Sequence, residues 1–186
     1  MNKKSQKGFT LIELLVVVTI IAILALIAIL AINPVEMARR SRDSRRLSDI
    51  GTVRRALDMS LADGKTLSGT ALAHYTKTTA AAGALDPSSL TNLVGVDVSK
   101  YLSTITQDPS YVAGDATTVQ TTDGTCGATP GTAQIAKSAM VYSFESDGSA
   151  YVLSAHLEST DNCGVPSGDG NSNALYEVGT KPNLHW

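Results

Sequence analysis

The stretch Lys7-Gly8-Phe9-Thr10-Leu11-Ile12-Glu13-Leu14, with the apolar run that continues from it to Ile32, decides how the rest of this 186-residue chain is read. Leu14 to Ile32 is nineteen residues without a charge, and Thr19 is its one hydroxyl. As a helix such a run spans about 28 Å, close to the ~30 Å of one hydrocarbon core. Its Ile and Val content would suit a short buried strand, but the length favours a membrane helix, whose backbone hydrogen bonds are all internal. Glu13 stands inside the apolar segment that opens at Phe9, where an ionised carboxylate costs a few kcal/mol unless it is paired or lies near the interface. A partner or a function is therefore expected for it.

Before Gly8 the chain is short and polar, with Lys3, Lys4 and Lys7 and no acid. Lys7-Gly8-Phe9-Thr10-Leu11-Ile12-Glu13 resembles the leader junction of type IV pilins and type II secretion pseudopilins. The resemblance implies a prepilin peptidase that cuts between Gly8 and Phe9 and N-methylates Phe9. It also implies that Glu13 pairs with the N-terminal amine of a neighbouring subunit during assembly. The residues agree with it physically. Gly8 lets the backbone enter a protease site extended, and the cut creates an ammonium group four residues before a carboxylate. Phe9 and Glu13 then stand at i and i+4 on one helix face, so the pair can close within one subunit or between two. A carboxylate in the first turn also complements the helix macrodipole. A lone interfacial acid is the plain alternative for Glu13. A secretory signal peptide shares the Lys-rich start and apolar core, but needs a small-residue cleavage site after the core, and Ala31 to Pro34 supplies no tidy one.

The net charge of -2 hides a division: of fifteen Lys and Arg, ten lie at or before Arg55, while thirteen of seventeen acids lie after it. The head is acidic and the stem basic, which argues against a general nucleic-acid-binding surface on the head. Cys126 and Cys163, the two cysteines, fall in the part expected outside the membrane. Without CxxC spacing or clustered His they favour a disulfide over a metal site, worth roughly 4 kcal/mol on the chain-entropy model; two separately buried thiols are the alternative.

Pro34 removes a helix hydrogen bond and crowds the preceding turn, so a kink or unwound segment is expected there. Arg39, Arg40, Arg42, Arg45 and Arg46 follow, offering contacts to anionic lipid, DNA or acidic neighbours, or simply a solvated face with Glu36, Asp43 and Asp49 as local partners. By the positive-inside rule they would hold the stem in the cytoplasm; the cleavage motif and a disulfide both require the opposite. Leu47, Ile50, Val53, Leu57 and Leu61 form an amphipathic stripe directed at the head, and Asp63-Gly64 is a plausible helix stop.

In the head, Lys65 to Gly83 reads as a loop or weak helix, Leu90 to Ile105 as a short helix and turn, and Gly114 to Thr132 as exposed. Residues 139–145 and 150–158 flank Asp147-Gly148 as a hairpin, with Tyr142 and Phe144 on one face and Tyr151, Leu153 and Ala155 on one face of the second strand; His156 is placed at a surface or edge. This hairpin resembles the strand pair of major pseudopilin heads. Ala174 to Val178 is a further candidate strand. Ser167-Gly168-Asp169-Gly170-Asn171 is oxygen-rich and could take calcium, but it lacks EF-hand spacing and a hydrated turn is the usual outcome. No cofactor is otherwise implied.

No phosphate-binding glycine loop, HExxH or nucleophile elbow is present, and His74, His156 and His185 are far apart, so catalysis is not expected. The expected fold is α+β: a long N-terminal α-helix, membrane-spanning in its first half and amphipathic in its second, packed on a small antiparallel β-sheet head. Its parts are a cleaved leader (1–8), a transmembrane and filament-core helix (9–33), an amphipathic stem (34–63) and a globular head (64–186). The resemblance implies a structural prepilin with identical or related subunits, prepilin peptidase, inner-membrane assembly machinery and the lipid bilayer as partners, DNA binding remaining open. It places the leader in the cytoplasm, the head outside, and the assembled filament in the periplasm or beyond the cell. A secretion or DNA-uptake pseudopilin shares these motifs, a tip-located adhesin of the same machinery would have a larger head, and a single-pass anchored binding protein or enzyme is the reading from another class.

Overall fold

The structure is a computed structural model, and it describes residues 8–67, 70–75, 97–103, 106–166, 170, 172 and 174–181. The chain divides into two compact units, Met1–Met37 and Ala38–Trp186.

The first unit is built on α1, Leu11–Ile32. Thr10 caps it in an extended conformation, and Asn33 closes it with φ at 47°, in the left-handed region. The window Leu11–Ile29 is long and apolar enough to cross a bilayer, and none of it is buried within the protein. A second helix, α2, occupies Pro34–Ala62. Proline suits the first helical position, because its missing N–H would have no partner there in any case. The kink or unwound segment expected at Pro34 is an interruption at Asn33, one residue earlier, which separates the two helices. Gly64, with φ at 76°, ends α2: its N–H donates to the Leu61 carbonyl at 2.9 Å and the Lys65 N–H to the Ser60 carbonyl at 3.1 Å. This pair of reversed bonds is the Schellman arrangement, which favours glycine.

The second unit contains a four-stranded antiparallel sheet, order β1-β4-β5-β6, and a separate two-stranded sheet, β2-β3. The strands are β1 Thr70–Tyr75, β2 Thr118–Thr122, β3 Thr132–Ala136, β4 Tyr142–Ser146, β5 Tyr151–Ala155 and β6 Tyr176–Gly179. The β4-β5 hairpin pairs Ser146 with Tyr151 and Phe144 with Leu153. Its loop is shaped by Asp147, whose Oδ1 accepts from the Ser149 and Ala150 amides at 3.0 and 2.8 Å, and by Gly148 at φ 93°. Those amides hold the Asp147 carboxyl down at about 2.

Ile50, Val53, Ala56 and Leu57 bury one face of α2 against Tyr142, Phe144, Tyr151, Leu153 and Ala155, with Val178, Leu67, Val98 and Leu102 closing the cluster. Leu61 packs at its margin. Each large side chain in such a core contributes roughly 1.5–3 kcal/mol. The predicted stripe, apart from Leu47, and both predicted hairpin faces meet here. The two tyrosines also reach α2 through their hydroxyls, Tyr142 to Asp49 Oδ2 at 3.1 Å and Tyr151 to Asp58 Oδ1 at 2.6 Å.

Several expectations are corrected. Thr70–Tyr75, read as loop or weak helix, is β1, antiparallel to β4 with an irregular register between Thr70 and Ala73. Pairing to an existing strand, rather than local propensity, decides this. Gly114 to Thr132 is not uniformly exposed: it holds β2, and Thr121 and Thr122 are fully buried. Lys137–Ala139 is a 3-10 turn, so β4 starts only at Tyr142. His156, placed at a surface or edge, is half-buried directly after β5. Val98 and Leu102 are buried in a turn, the Leu102 N–H donating to Val98 at 3.0 Å, while Leu90, Leu93, Val94, Val96 and Ile105 lie outside the described residues. The candidate calcium tract lies largely outside them as well. Among the described residues no cluster of three or more His, Cys, Asp or Glu is arranged to hold a metal.

Candidate functional site

At the start of α1, Phe9 projects into the surroundings, 90% exposed. Glu13, four residues on, turns back over the helix end. The Thr10 N–H donates to its Oε2 at 2.8 Å and the Thr10 hydroxyl to the same oxygen at 2.7 Å, while the Glu13 N–H donates to Thr10 Oγ1 at 3.2 Å. This is a complete capping box. It satisfies two backbone donors that an apolar environment would leave unpaired, and gives a carboxylate in the apolar run an immediate partner. Thr10 is absent from the candidates drawn from sequence; the Thr-x-x-Glu spacing ahead of an apolar run is the signal that identifies it. While Gly8 precedes it, Phe9 has a peptide nitrogen, so an amine to pair with Glu13 exists only in a cut chain. Gly8 has open space around its α-carbon.

In the second unit the arginine cluster is divided: Arg40 and Arg45 are exposed, Arg39 and Arg42 half-buried, and Arg46 turned inward. Arg46 is fully buried. It donates from Nε to Asp108 Oδ2 at 2.7 Å, from Nη2 to Asp108 Oδ1 at 2.9 Å and from Nη1 to Asp43 Oδ1 at 2.8 Å. Its Nη2 also reaches Glu158 Oε1 at 2.5 Å. Arg42, one turn earlier, donates to Glu158 Oε2 from Nε at 3.0 Å, and Ser110 donates its hydroxyl to Glu158 Oε1. Asp43 accepts from the Glu158 and Ser159 amides at 2.9 and 2.8 Å and from Asn162 Nδ2 at 2.9 Å. Arg40 pairs with Asp161, Arg45 lies 3.8 Å from Asp49, and Arg39 donates to Gln120 at 3.3 Å.

Burial alone would disfavour the charged Arg46, but the hydrogen bond and charge of Asp108 and the charge of Glu158 raise its pKa well above the ordinary arginine value. Burial also works against Glu158, yet Arg42, Ser110 and Arg46 hold its carboxyl down at about 2. The local partners expected for the arginines are present in Asp43 and Asp49, but a solvated face does not describe Arg46. Its chief partners, Asp108 and Glu158, lie 62 and 112 residues away in sequence, and no spacing rule reaches them. A buried cation paired at two points with one carboxylate and at single points with two others fixes geometry; it offers no nucleophile activated by a base. It clasps α2 to the loops at Asp108 and Glu158.

Cys126 and Cys163 are joined in a disulfide, their α-carbons 5.5 Å apart. Cys126 lies in the β2-β3 connection, and Cys163 directly follows a 3-10 turn at Thr160–Asn162.

Residues 3–29 match the family model for the prokaryotic N-terminal methylation motif. No curated protein and no solved structure matches the chain. Fold and N-terminus together define an α+β protein with an apolar N-terminal helix that carries this motif, the signature of type IV pilins and pseudopilins. Gly8, Phe9 and Glu13 all lie within the matched segment.

Proposed function

We propose that this chain is a prepilin, a structural subunit of a type IV pilus-like filament. A prepilin peptidase removes residues 1–8 and methylates Phe9. The chain waits in the cell membrane on α1, leader inside and head outside, until inner-membrane assembly machinery draws it into a filament whose apolar core is formed by α1 of identical or related subunits. The observation that carries the reading is the matched motif on a helix with no buried residue in its span window, with Glu13 placed in the first turn beside the intended cut. Lipid covers such a helix in the stored subunit, and other copies cover it in the polymer. The ammonium group of a neighbour's Phe9 would replace or join the Thr10 donors at Glu13, turning two charges in an apolar place into a pair.

Arg42 and Arg46, committed to Glu158, favour a structural stem over a DNA-binding one. A pseudopilin of a secretion or DNA-uptake system is the second reading, supported by the β4-β5 hairpin with its Asp147-Gly148 turn. The test is the intact mass and N-terminal sequence of the protein from its native cells. Loss of eight residues with a methyl group on Phe9 is the expected result, and shed filaments then separate pilus from pseudopilus. An uncut Met1, or a cut after Ile32, overturns the filament reading in favour of a single-pass anchored protein whose head acts alone.

A further inference from the structure

The β2-β3 sheet is attached differently from the rest of the second unit. Among the described residues, none of the apolar core comes from β2 or β3. Polar links join the two strands and their ends to neighbouring elements: the Thr122 N–H donates to the Leu157 carbonyl at 2.8 Å, Arg39 donates to Gln120 at 3.3 Å, and the Val112 N–H donates to Lys137, just past β3, at 3.3 Å. The sheet is well formed in itself, with five paired positions from Thr118–Ala136 to Thr122–Thr132. Its neck is closed by Asp123 against Gly131, where an added Cβ would collide with the Asp123 carboxylate. The covalent link is Cys126–Cys163, and Cys126 is exposed. On the other side of that link, residues 158–162 are gripped by Asp43 on α2.

We propose that the Cys126–Cys163 disulfide is a redox latch that holds the preformed β2-β3 sheet against residues 157–163, and that its reduction frees this sheet while the α2 and β4-β5 core stays folded. The co-reactant is a dithiol. One of its thiolates attacks the sulfur of Cys126, an exposed residue, the S–S bond breaks, and the electron pair leaves on Cys163, which takes up a proton. The second thiolate then resolves the mixed disulfide, so that the reductant leaves as a disulfide and the chain keeps two thiols. Of these polar links only Thr122–Leu157 is buried, and the three together do not replace a crosslink, whereas the apolar cluster and the buried Arg46 pairs do not depend on one. The latch is independent of the filament reading.

The test is hydrogen–deuterium exchange of the full chain in detergent micelles, with and without dithiothreitol, alongside the C126S/C163S double variant. Expected is amide exchange at least about tenfold faster in β2 and β3, with residues 158–162, Ile50 to Leu57 and the β4-β5 pair unchanged, and return to the original pattern on reoxidation. Unchanged exchange in β2 and β3 after reduction overturns the latch. So does a rise spread evenly through the core, which would make the disulfide a support of the whole head.

Discussion

Arg46 on α2 and Asp108 in the loop ahead of β2 meet at two points, Nε to Oδ2 at 2.7 Å and Nη2 to Oδ1 at 2.9 Å, with both side chains buried. Breaking a buried pair from one side leaves a charge without its partner, which costs about 3–5 kcal/mol. Arg46→Ala is therefore expected to lower stability by that amount in chemical denaturation. Arg46→Lys recovers little of it, because an ammonium cannot reproduce the two-point contact. Arg42→Ala, at a half-buried position, should cost clearly less.

The carboxyl of Glu158, ordinarily near 4.5, is held at about 2 in the folded chain. A lowered folded pKa means that its stabilisation is complete above the unfolded value and is lost as pH falls through the folded one. Stability is expected to decline between about pH 4.5 and pH 2, by about 1.4 kcal/mol for each pH unit crossed. Glu158→Gln flattens that part of the profile. Acid titration followed by near-ultraviolet circular dichroism of the tyrosines checks it, and an unchanged slope in the variant would assign the loss to other groups.

Tyr151 is fully buried, its ring stacked with Phe144 at a centroid distance of 6.4 Å and its hydroxyl 2.6 Å from Asp58 Oδ1. Burial first, then Asp58, push its pKa well above the ordinary tyrosine value. Tyr151→Phe keeps the ring and is expected to cost about 1 kcal/mol, because water can take the place of the hydroxyl at the half-exposed Asp58. The same core should give Tyr151 no alkaline titration before unfolding, which ultraviolet difference spectra would report.

Thr10→Ala removes the side-chain half of the box over the start of α1. A peptide of residues 8–33 in micelles should lose about 1 kcal/mol of helix stability, read from thermal melting of its ellipticity. Thr10→Ser, which keeps the hydroxyl, should restore most of it. A Thr10→Ala peptide as stable as the parent would show that the apolar environment alone fixes the helix end.

The parts of this fold that can be read from the chain are those whose signal is local. Nineteen uncharged residues from Leu14 to Ile32 mark α1, the three-and-four spacing of Ile50, Val53 and Leu57 marks the buried face of α2, and Asp147-Gly148 between aromatic runs marks β4-β5. What escapes is set by partners distant in sequence. Thr70–Tyr75 and Thr118–Thr122, which lack a clear alternation of large apolar and polar residues, become strands because a neighbouring strand completes their hydrogen bonds. Arg46 looks like any surface arginine until Asp108 and Glu158 arrive from elsewhere in the fold. Thr10 is the intermediate case, readable in principle from its spacing to Glu13.

The left-handed turn at Asn33 has a thermodynamic consequence. Helix melting travels along an unbroken hydrogen-bond ladder, because each opened turn exposes the next. At Asn33 the ladder is cut, and α2 begins afresh: the Asn33 carbonyl takes the Glu36 and Met37 amides at 3.1 and 3.3 Å, and its side-chain oxygen approaches the Glu36 amide at 3.3 Å. Whatever frays or unwinds α1, whether a change of solvent or a pull on the N-terminus, meets a firebreak there. The residues that hold α2 to the sheet then keep their helix on their own account.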